Sequence, residues 1–435
     1  MPSPTSLAPV LSPEAWELLN SLPEYDDAAS SSLNLRLRKD GWPPEVVAAV
    51  LTQLRLRRAA RGKFGEFAER MLLTDHGLQQ STRLPVAARH ARRFVSAAVE
   101  HVVDLGCGLG GDALAMASAG LQVTAVEADE TTAAAATINL RAFPEASVVH
   151  SRAEEYTAGL DWFARPPAEG PDMPPRWTGP GLWLDPARRD ERSRIWDPEA
   201  FSPPLSFVTE LAATGAPMGV KLGPGMPHEL IPADCEAEWV SIDGELVEVV
   251  LWFNALARPG VRRAATVLTS SREDPLRVTA AELTSSDDFG QGLHPDPAGS
   301  AGLRGVLHEP DPAVIRAGLV AELCAQLEGR MLDEHIAYLC TDDAPSPAHP
   351  PFSRAYRVLE VMDFNPKRLK RWLQDQEVTS LEIKKRGVDV VPETLRRQLL
   401  GSPKKPRAGS PKKHATLVLT RVGDERLAAV VEPLR

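Results

Sequence analysis

The stretch "VVDLGCGLGGDA", residues 102–113, decides how this chain is read. Gly106, Gly108 and Gly111 satisfy the G-x-G-x-x-G pattern of a cofactor-cradling turn between a strand and a helix. The discordant residue is Asp104, two positions before the first glycine. A nicotinamide- or flavin-binding turn carries an apolar strand into that glycine and seats pyrophosphate on the helix N-terminus. A carboxylate at the strand tip repels such a polyanion. It suits a ligand that is cationic and lacks phosphate.

S-adenosylmethionine is such a ligand, with a sulfonium, an ammonium and a carboxylate. Asp104 can take the ammonium directly or through water, and glycines at 106, 108 and 110 let the ligand approach the backbone. Glu127 ends the next strand, "LQVTAVEAD", about twenty residues beyond the first glycine, where a ribose-binding acid is expected. Two hydroxyls on one carboxylate fit either cofactor, so Glu127 speaks for the fold. Ala153 and Glu154 fall where an adenine edge is contacted, and a solvated surface acid is the other reading of Glu154. Cys107 lies within the loop and reads as a small packing residue beside the cofactor. Asp129 reads as the cap of the helix from Glu130.

Outward from the loop, the chain alternates. "HVVDLG", "LQVTAVEAD", "ASVVHSRAEEY", "LWLDP" and "MGVKLGP" read as strands, with Ala-rich helices after the first two. Such alternation implies a parallel, doubly wound sheet. "AEWVSIDGELVEVVLWF" reads as a hairpin around Asp243-Gly244. An antiparallel pair closing a parallel sheet marks a class I methyltransferase fold, Rossmann-like with seven strands. Trp239 and Trp252 in the hairpin read as core. Before the sheet, residues 1–95 read as helical, with apolar residues three and four apart. Residues 96–262 form the expected methyltransferase domain, 263–345 a connecting region, and 346–435 a C-terminal domain alternating strand, helix, strand, helix, strand, strand.

The chain has 435 residues, 43% of them apolar, enough for a sizeable core. Its four cysteines form no C-x-x-C pair, which speaks against a zinc site or disulfide framework and suits the reducing cytoplasm. No metal site is expected. The first residues lack the pattern of a signal peptide, and no apolar run is long enough to span a bilayer. Net charge is −10, but residues 351–420 carry sixteen Lys/Arg against seven Asp/Glu, leaving −19 on the remainder. Lys367, Arg368, Lys370 and Arg371 fall on one helix, and Lys384, Lys385 and Arg386 at a strand end. Such clusters neutralise phosphates, although a single run is more often a solvated face.

In an open α/β sheet the chemistry lies beyond the carboxyl ends of the strands. The fourth strand ends in "LWLDPARRD". Asp185 is placed to orient or deprotonate a target nitrogen. Arg188 and Arg189 can hold a phosphate or stabilise charge on a base; the alternative is a surface pair with Asp190 or Glu191. At the end of the fifth strand, Lys221 either neutralises Asp185 or meets substrate; a structural ion pair is the other reading. Catalytic candidates are therefore Asp185, Arg188 and Lys221, with Asp185 also bordering the cofactor. Methyl transfer from a sulfonium is an in-line displacement that needs alignment and exclusion of water.

These residues together resemble the bacterial class I methyltransferases that carry a C-terminal THUMP-like domain. The matching stretches are "AERMLLTDHGLQQST", "ARRF", "DLGCGLGGDALA", "LDPARRD", "GVKLGPG", "EWVSIDGELVEVVLW", "EPDPAVIRAGL", "YRVLEVMDFNPKRLKRWL" and "LEIKKRGVDV". They run in family order over nearly all the chain beyond about residue 60. Gln79 stands where the family has an acid before Gln-Ala-Thr, which removes a charge there. The piece from Glu309 to Tyr338 resembles a small ferredoxin-like unit. The resemblance implies an S-adenosylmethionine-dependent methyltransferase acting on a base in structured RNA, tRNA or rRNA, held by the C-terminal domain. Methylation of a protein or metabolite, and RNA binding without catalysis, are the competing classes.

Overall fold

The computed structural model describes residues 7–160, 177, 179–186, 197–343, 351–401 and 413–434. They form two compact units, one of Met1–Ala237, Glu248–Pro259 and Ser270–Thr279, the other of Glu238–Val247, Gly260–Thr269 and Ala280–Arg435.

The first unit opens with helices α1 (Pro13–Ser21), α2 (Ser30–Lys39), α3 (Pro44–Phe64), α4 (Asp75–Gln80) and α5 (Leu84–Ser96). Helix α3 starts on a proline, carries Glu45 in its first turn and ends with Arg61 and Lys63, each sign complementing the helix dipole. The Lys63 ammonium donates to the carbonyls of Leu78, Gln79 and Ser81 at 2.7–3.1 Å, which satisfies the end of α4. Between α3 and α4 the chain runs extended. The Gln53 amide brackets the Leu73 backbone at 2.7 and 3.0 Å, and the Arg57 guanidinium donates to the Met71 carbonyl.

Along the chain then come β1 (His101–Leu105), α6 (Gly111–Ser118), β2 (Gln122–Glu127), α7 (Glu130–Leu140), β3 (Ala146–His150), α8 (Ala153–Ala158), β4 (Gly181–Leu184), α9 (Leu205–Ala213), β5 (Met218–Leu222), β6 (Cys235–Ile242), β7 (Glu245–Phe253), β8 (Arg263–Ser270) and β9 (Val278–Ser285), of which β6, β8 and β9 fall largely in the second unit. The sheet order is β3-β2-β1-β4-β5-β7-β6-β8-β9. Strands β1 to β5 pair in parallel, and β7 lies antiparallel beside β5. The expected parallel sheet closed by an antiparallel hairpin fills the first seven places. The sheet has nine strands rather than seven, because "RAATVLTS" and "VTAAELTS" continue it past β6, whose ladder would otherwise end in an open edge. The hairpin turn has positive φ at Asp243 (54°) and Gly244 (82°), as a two-residue primed turn requires. The third strand is shorter than its sequence suggested, and Ala153 opens a helix.

The second unit adds β10 (Val306–Pro310), α10 (Pro312–Arg316), α11 (Val320–Gln326), β11 (Arg330–Asp333), β12 (Ile336–Thr341), β13 (Ser353–Asp363), α12 (Pro366–Asp375), β14 (Ser380–Arg386), α13 (Pro392–Leu400), β15 (His414–Val422) and β16 (Glu425–Pro433). Its sheet runs β11-β12-β10-β13-β16-β15-β14. Leu369 and Leu373 of α12 and Leu395 and Leu399 of α13 pack on Leu417, Leu419 and Ala428. The opposite face buries Leu307, Tyr338, Val418 and Leu427. The strand and helix order of residues 353–433 is the one read from the sequence.

The glycine loop rests on the helical region. Leu109 of the loop belongs to the apolar cluster of Leu54, Phe64, Leu72 and Leu78. From α7, buried Asn139 accepts from the Leu72 amide (2.7 Å) and donates to the carbonyls of Leu72 (3.1 Å) and Leu109 (2.9 Å). Asn139→Ala strands these backbone groups and should lower the unfolding free energy by about 2–4 kcal/mol, read as a shift in the urea midpoint. A loss under about 0.5 kcal/mol would show that water replaces them.

Candidate active site

Strand β1 lies between β2 and β4, so its tip is central. Gly106 and Cys107 donate to the Val126 carbonyl at 2.9 and 3.0 Å, which ties the loop to the tip of β2. Gly106, Gly108 and Gly110 all have positive φ, 91°, 56° and 82°. At Gly106 a Cβ would stand 3.3 Å from the Asp185 carbonyl, while at Gly108 it would meet nothing within 4 Å. The second glycine therefore presents bare backbone to open space, which is what a ligand lying against the loop needs.

At the base of this loop the Asp104 carboxyl is 1% exposed. Neither oxygen has a hydrogen-bond partner among the described residues. Burial, then the nearby carboxylates of Asp112 and Asp185, push it well above the usual carboxylate range. A buried acid without a partner costs free energy unless a ligand supplies one. Glu127 is oriented by two backbone amides, Gly108 at 2.9 Å and Asp129 at 2.9 Å. Asp129 caps α7 through the Thr132 amide at 2.8 Å, as read. Ala153 is buried in the first turn of α8, and Glu154 reaches Arg152 at 3.6 Å. The Cys107 thiol is buried, and burial followed by Asp104 and Glu127 raises it far above the ordinary thiol range.

Asp185 follows β4, and the Lys221 ammonium at the end of β5 donates to it at 2.5 Å. Lys221 also donates to the Thr82 hydroxyl (2.9 Å), and Thr82 donates to Asp112 (2.8 Å). The other oxygen of Asp112 meets His90 Nδ1 at 2.7 Å, and His90 Nε2 meets Glu248 at 2.7 Å. Burial works against the charge of Lys221, but Asp185, Asp112 and Glu248 override it and hold the ammonium above the usual lysine range. Burial likewise opposes charge on His90; Glu248 and Asp112 prevail and raise it to about 9. Burial raises Asp112, and His90, Lys221 and Thr82 outweigh it, leaving it below the usual range. The His90 ring lies 4.3 Å from that of Trp183, which stacks near Trp252. Trp239 and Trp252 are core, as expected.

The sequence reading missed Thr82, His90, Asp112 and Glu248. Arg188, with Arg189, Asp190 and Glu191, lies outside the described residues.

The comparisons with known proteins settle the family. The chain is 30% identical over 389 residues to two uncharacterized S-adenosylmethionine-dependent methyltransferases of Mycobacterium tuberculosis, strains CDC 1551 / Oshkosh and H37Rv, covering 86% of this chain and 93% of each relative. The chain belongs to the S-adenosylmethionine-dependent methyltransferases. Residues 353–433 of the methyltransferase match the THUMP domain-like family, and residues 3–60 a domain family of unknown function, DUF8688. Its fold is shared with a candidate methyltransferase from Porphyromonas gingivalis W83, at a TM-score of 0.67 and 20% identity, over 95% of this chain and 100% of that one.

In the second unit of the methyltransferase, Lys367, Arg368, Lys370 and Arg371 are exposed on α12. The cluster on β14 divides. Lys385 is exposed, but Lys384 is half-buried in an ion pair with Glu309 at 3.0 Å, above the Tyr356 ring. Arg386 lies over Tyr338, 5.3 Å from the ring centroid. Among the described residues no helix is long and apolar enough to cross a membrane, and no group of three or more His, Cys, Asp and Glu is placed to hold a metal.

His90 sets a pH dependence. Its raised pKa means that its stabilisation is full below about 6.5 and is lost as pH rises through about 9. The loss should approach 3 kcal/mol, roughly, by pH 10. His90→Gln should remove that slope in urea unfolding measured from pH 6 to 10; an unchanged slope would show that His90 is neutral when buried.

Proposed function

We propose that this methyltransferase methylates a base nitrogen in structured RNA, with the basic surface of the second unit holding the RNA. The observation that carries this reading is the THUMP-like match over residues 353–433 together with four exposed cations on one helix of that segment. Cations on the solvent face of α12 can neutralise phosphates without reading sequence. Lys385 is exposed on β14, while Lys384 and Arg386 shape the unit around Glu309 and Tyr338.

The donor site fits S-adenosylmethionine. Asp104 would receive its ammonium, Glu127 its ribose hydroxyls, and the start of α8 at Ala153 and Glu154 its adenine edge. Gly106, Cys107, Gly108 and Gly110 form the collar. The bound cofactor supplies an electrophilic methyl group. Asp185, at the mouth of β4, holds the acceptor nitrogen through its N–H, and Lys221 fixes the carboxylate from behind. Arg188 is assigned to substrate charge on its place in "DPARR" alone.

The direct test is labelled methyl transfer to RNA from a strain lacking the gene, followed by nucleoside mass spectrometry. One methylated base that disappears with Asp185→Ala supports the reading. Label in protein or in a small metabolite, with none in RNA, overturns it.

Asp104→Asn removes a charge-assisted hydrogen bond and should weaken S-adenosylhomocysteine by about ten- to a hundredfold in calorimetry. In ligand-free protein the raised pKa of Asp104 costs stability as pH rises from about 4 through its folded value, so the same substitution should flatten that decline. Unchanged affinity would remove Asp104 from the site.

Replacing Lys367, Arg368, Lys370 and Arg371 together by alanine should reduce the slope of log K against log salt for tRNA binding by about 3. An unchanged slope would mean that α12 does not face the phosphates.

A further inference from the structure

Behind Asp185 runs a buried hydrogen-bonded path whose polarity is fixed at every step. Both ring nitrogens of His90 face carboxylate oxygens at 2.7 Å, and with those carboxylates ionised both donate and the ring is an imidazolium, in line with its raised pKa. Thr82 has one proton and gives it to Asp112 at 2.8 Å. Its oxygen is thereby left to accept from Lys221 at 2.9 Å. The ammonium of Lys221 then points its remaining charge at Asp185. The path gathers α5, the segment before it, α6, β5 and β7 onto the tip of β4.

The charge arithmetic explains the need for it. Asp112 and Glu248 surround the buried Lys221 together with Asp185, while Asp104 of β1 and Glu127 of β2 are near neighbours. Without a cation against it, a carboxylate in this company would take up a proton. Without Asp112 and Thr82 to fix it, Lys221 could turn away from Asp185 toward Glu248.

Resting on the proposed function above, we infer that Thr82, Asp112 and His90 are positioning residues for methyl transfer: they lock Lys221 against Asp185, so that Asp185 stays an ionised hydrogen-bond acceptor for an acceptor nitrogen that carries an N–H. This selects an amino group, or a ring nitrogen bearing hydrogen, over a ring nitrogen that presents only a lone pair. In the step itself the nitrogen lone pair forms the N–C bond, while the C–S bond breaks and leaves its electron pair on sulfur. The positive charge that develops on nitrogen is met by the Asp185 carboxylate, and the N–H proton is lost to water afterwards.

Thr82→Val keeps the shape and removes the hydroxyl, and Thr82→Ser restores it. The first measurement is kcat and KM for labelled methyl transfer to RNA from a strain lacking the gene, between pH 6 and 8. Wild type and Thr82→Ser should be level across this range. Thr82→Val should lose kcat toward low pH, about twofold at pH 6 for a carboxyl raised by one unit from a midpoint of about 5 and more for a larger rise, with KM for RNA unchanged. A wild-type profile in Thr82→Val, or no rescue by Thr82→Ser, overturns the inference.

The second measurement needs no acceptor. The carboxyl carbon of Asp185 is titrated by NMR, assigned by its absence from Asp185→Asn. Its midpoint should rise by about one pH unit or more in Thr82→Val and return in Thr82→Ser; identical titrations overturn the inference. Should wild type put no label into RNA, the proposed substrate falls while this titration still decides the role of Thr82.

Discussion

A lysine ammonium buried at the end of a central strand can persist only if anions and acceptors enclose it. Lys221 meets that condition through Asp185 and Thr82 in direct contact and Asp112 and Glu248 beyond them. Removing one member of such a set strands a charge, at several kcal/mol, whereas the intact set is close to neutral in its effect on stability. The set therefore says little about how stable the fold is and much about how tightly its parts are aligned. It ties the start of the loop-bearing helix α6, through Asp112, to the tips of β4 and β5.

Asp104 is the counterpart that the protein leaves incomplete. It lies among the same carboxylates, yet no described side chain or amide serves it. The two buried acids nearest the loop thus have opposite fates. Asp112 has a hydroxyl and an imidazolium and remains charged, while Asp104 has neither and is pushed toward its neutral form. Both are buried, so the difference is made by hydrogen-bond partners and neighbouring charges. An unfinished site of this kind is consistent with a cationic ligand completing it.

Much of the nine-stranded sheet could be read along the chain because its signals are local. The glycine collar, the Asp129 cap and the Asp243-Gly244 turn each follow from the conformational demands of a few adjacent residues. The ninefold sheet was underread because nothing in "RAATVLTS" says which edge it joins. The buried path was not legible because its members lie far apart; His90 and Glu248 are separated by 158 positions. A faint signal did exist. Lys221 in "MGVKL" and Glu248 in "ELVEVVLWF" are charges inside apolar strand runs, where an unpaired charge is untenable. The same alternation would have divided "LEIKKR". Leu381 and Ile383 pack against the helices, so Lys384 and Arg386 must share the other face, where Glu309 and Tyr338 wait.

The helical region before the sheet gains a purpose from these contacts. It is not a detachable appendage, since Leu109 of the cofactor loop packs among its leucines and Asn139 stitches its extended segment to that loop. Nor is it only a support, since Thr82 and His90 come from it and reach Lys221 and Asp112. The motif "LQQST" illustrates the division. Gln79 and Gln80 stand at the end of α4, where Lys63 caps the carbonyls, and only Thr82 enters the buried path. A charge at position 79 is therefore dispensable to the geometry of the site, whereas the hydroxyl at position 82 links the helices to Asp185 through Lys221.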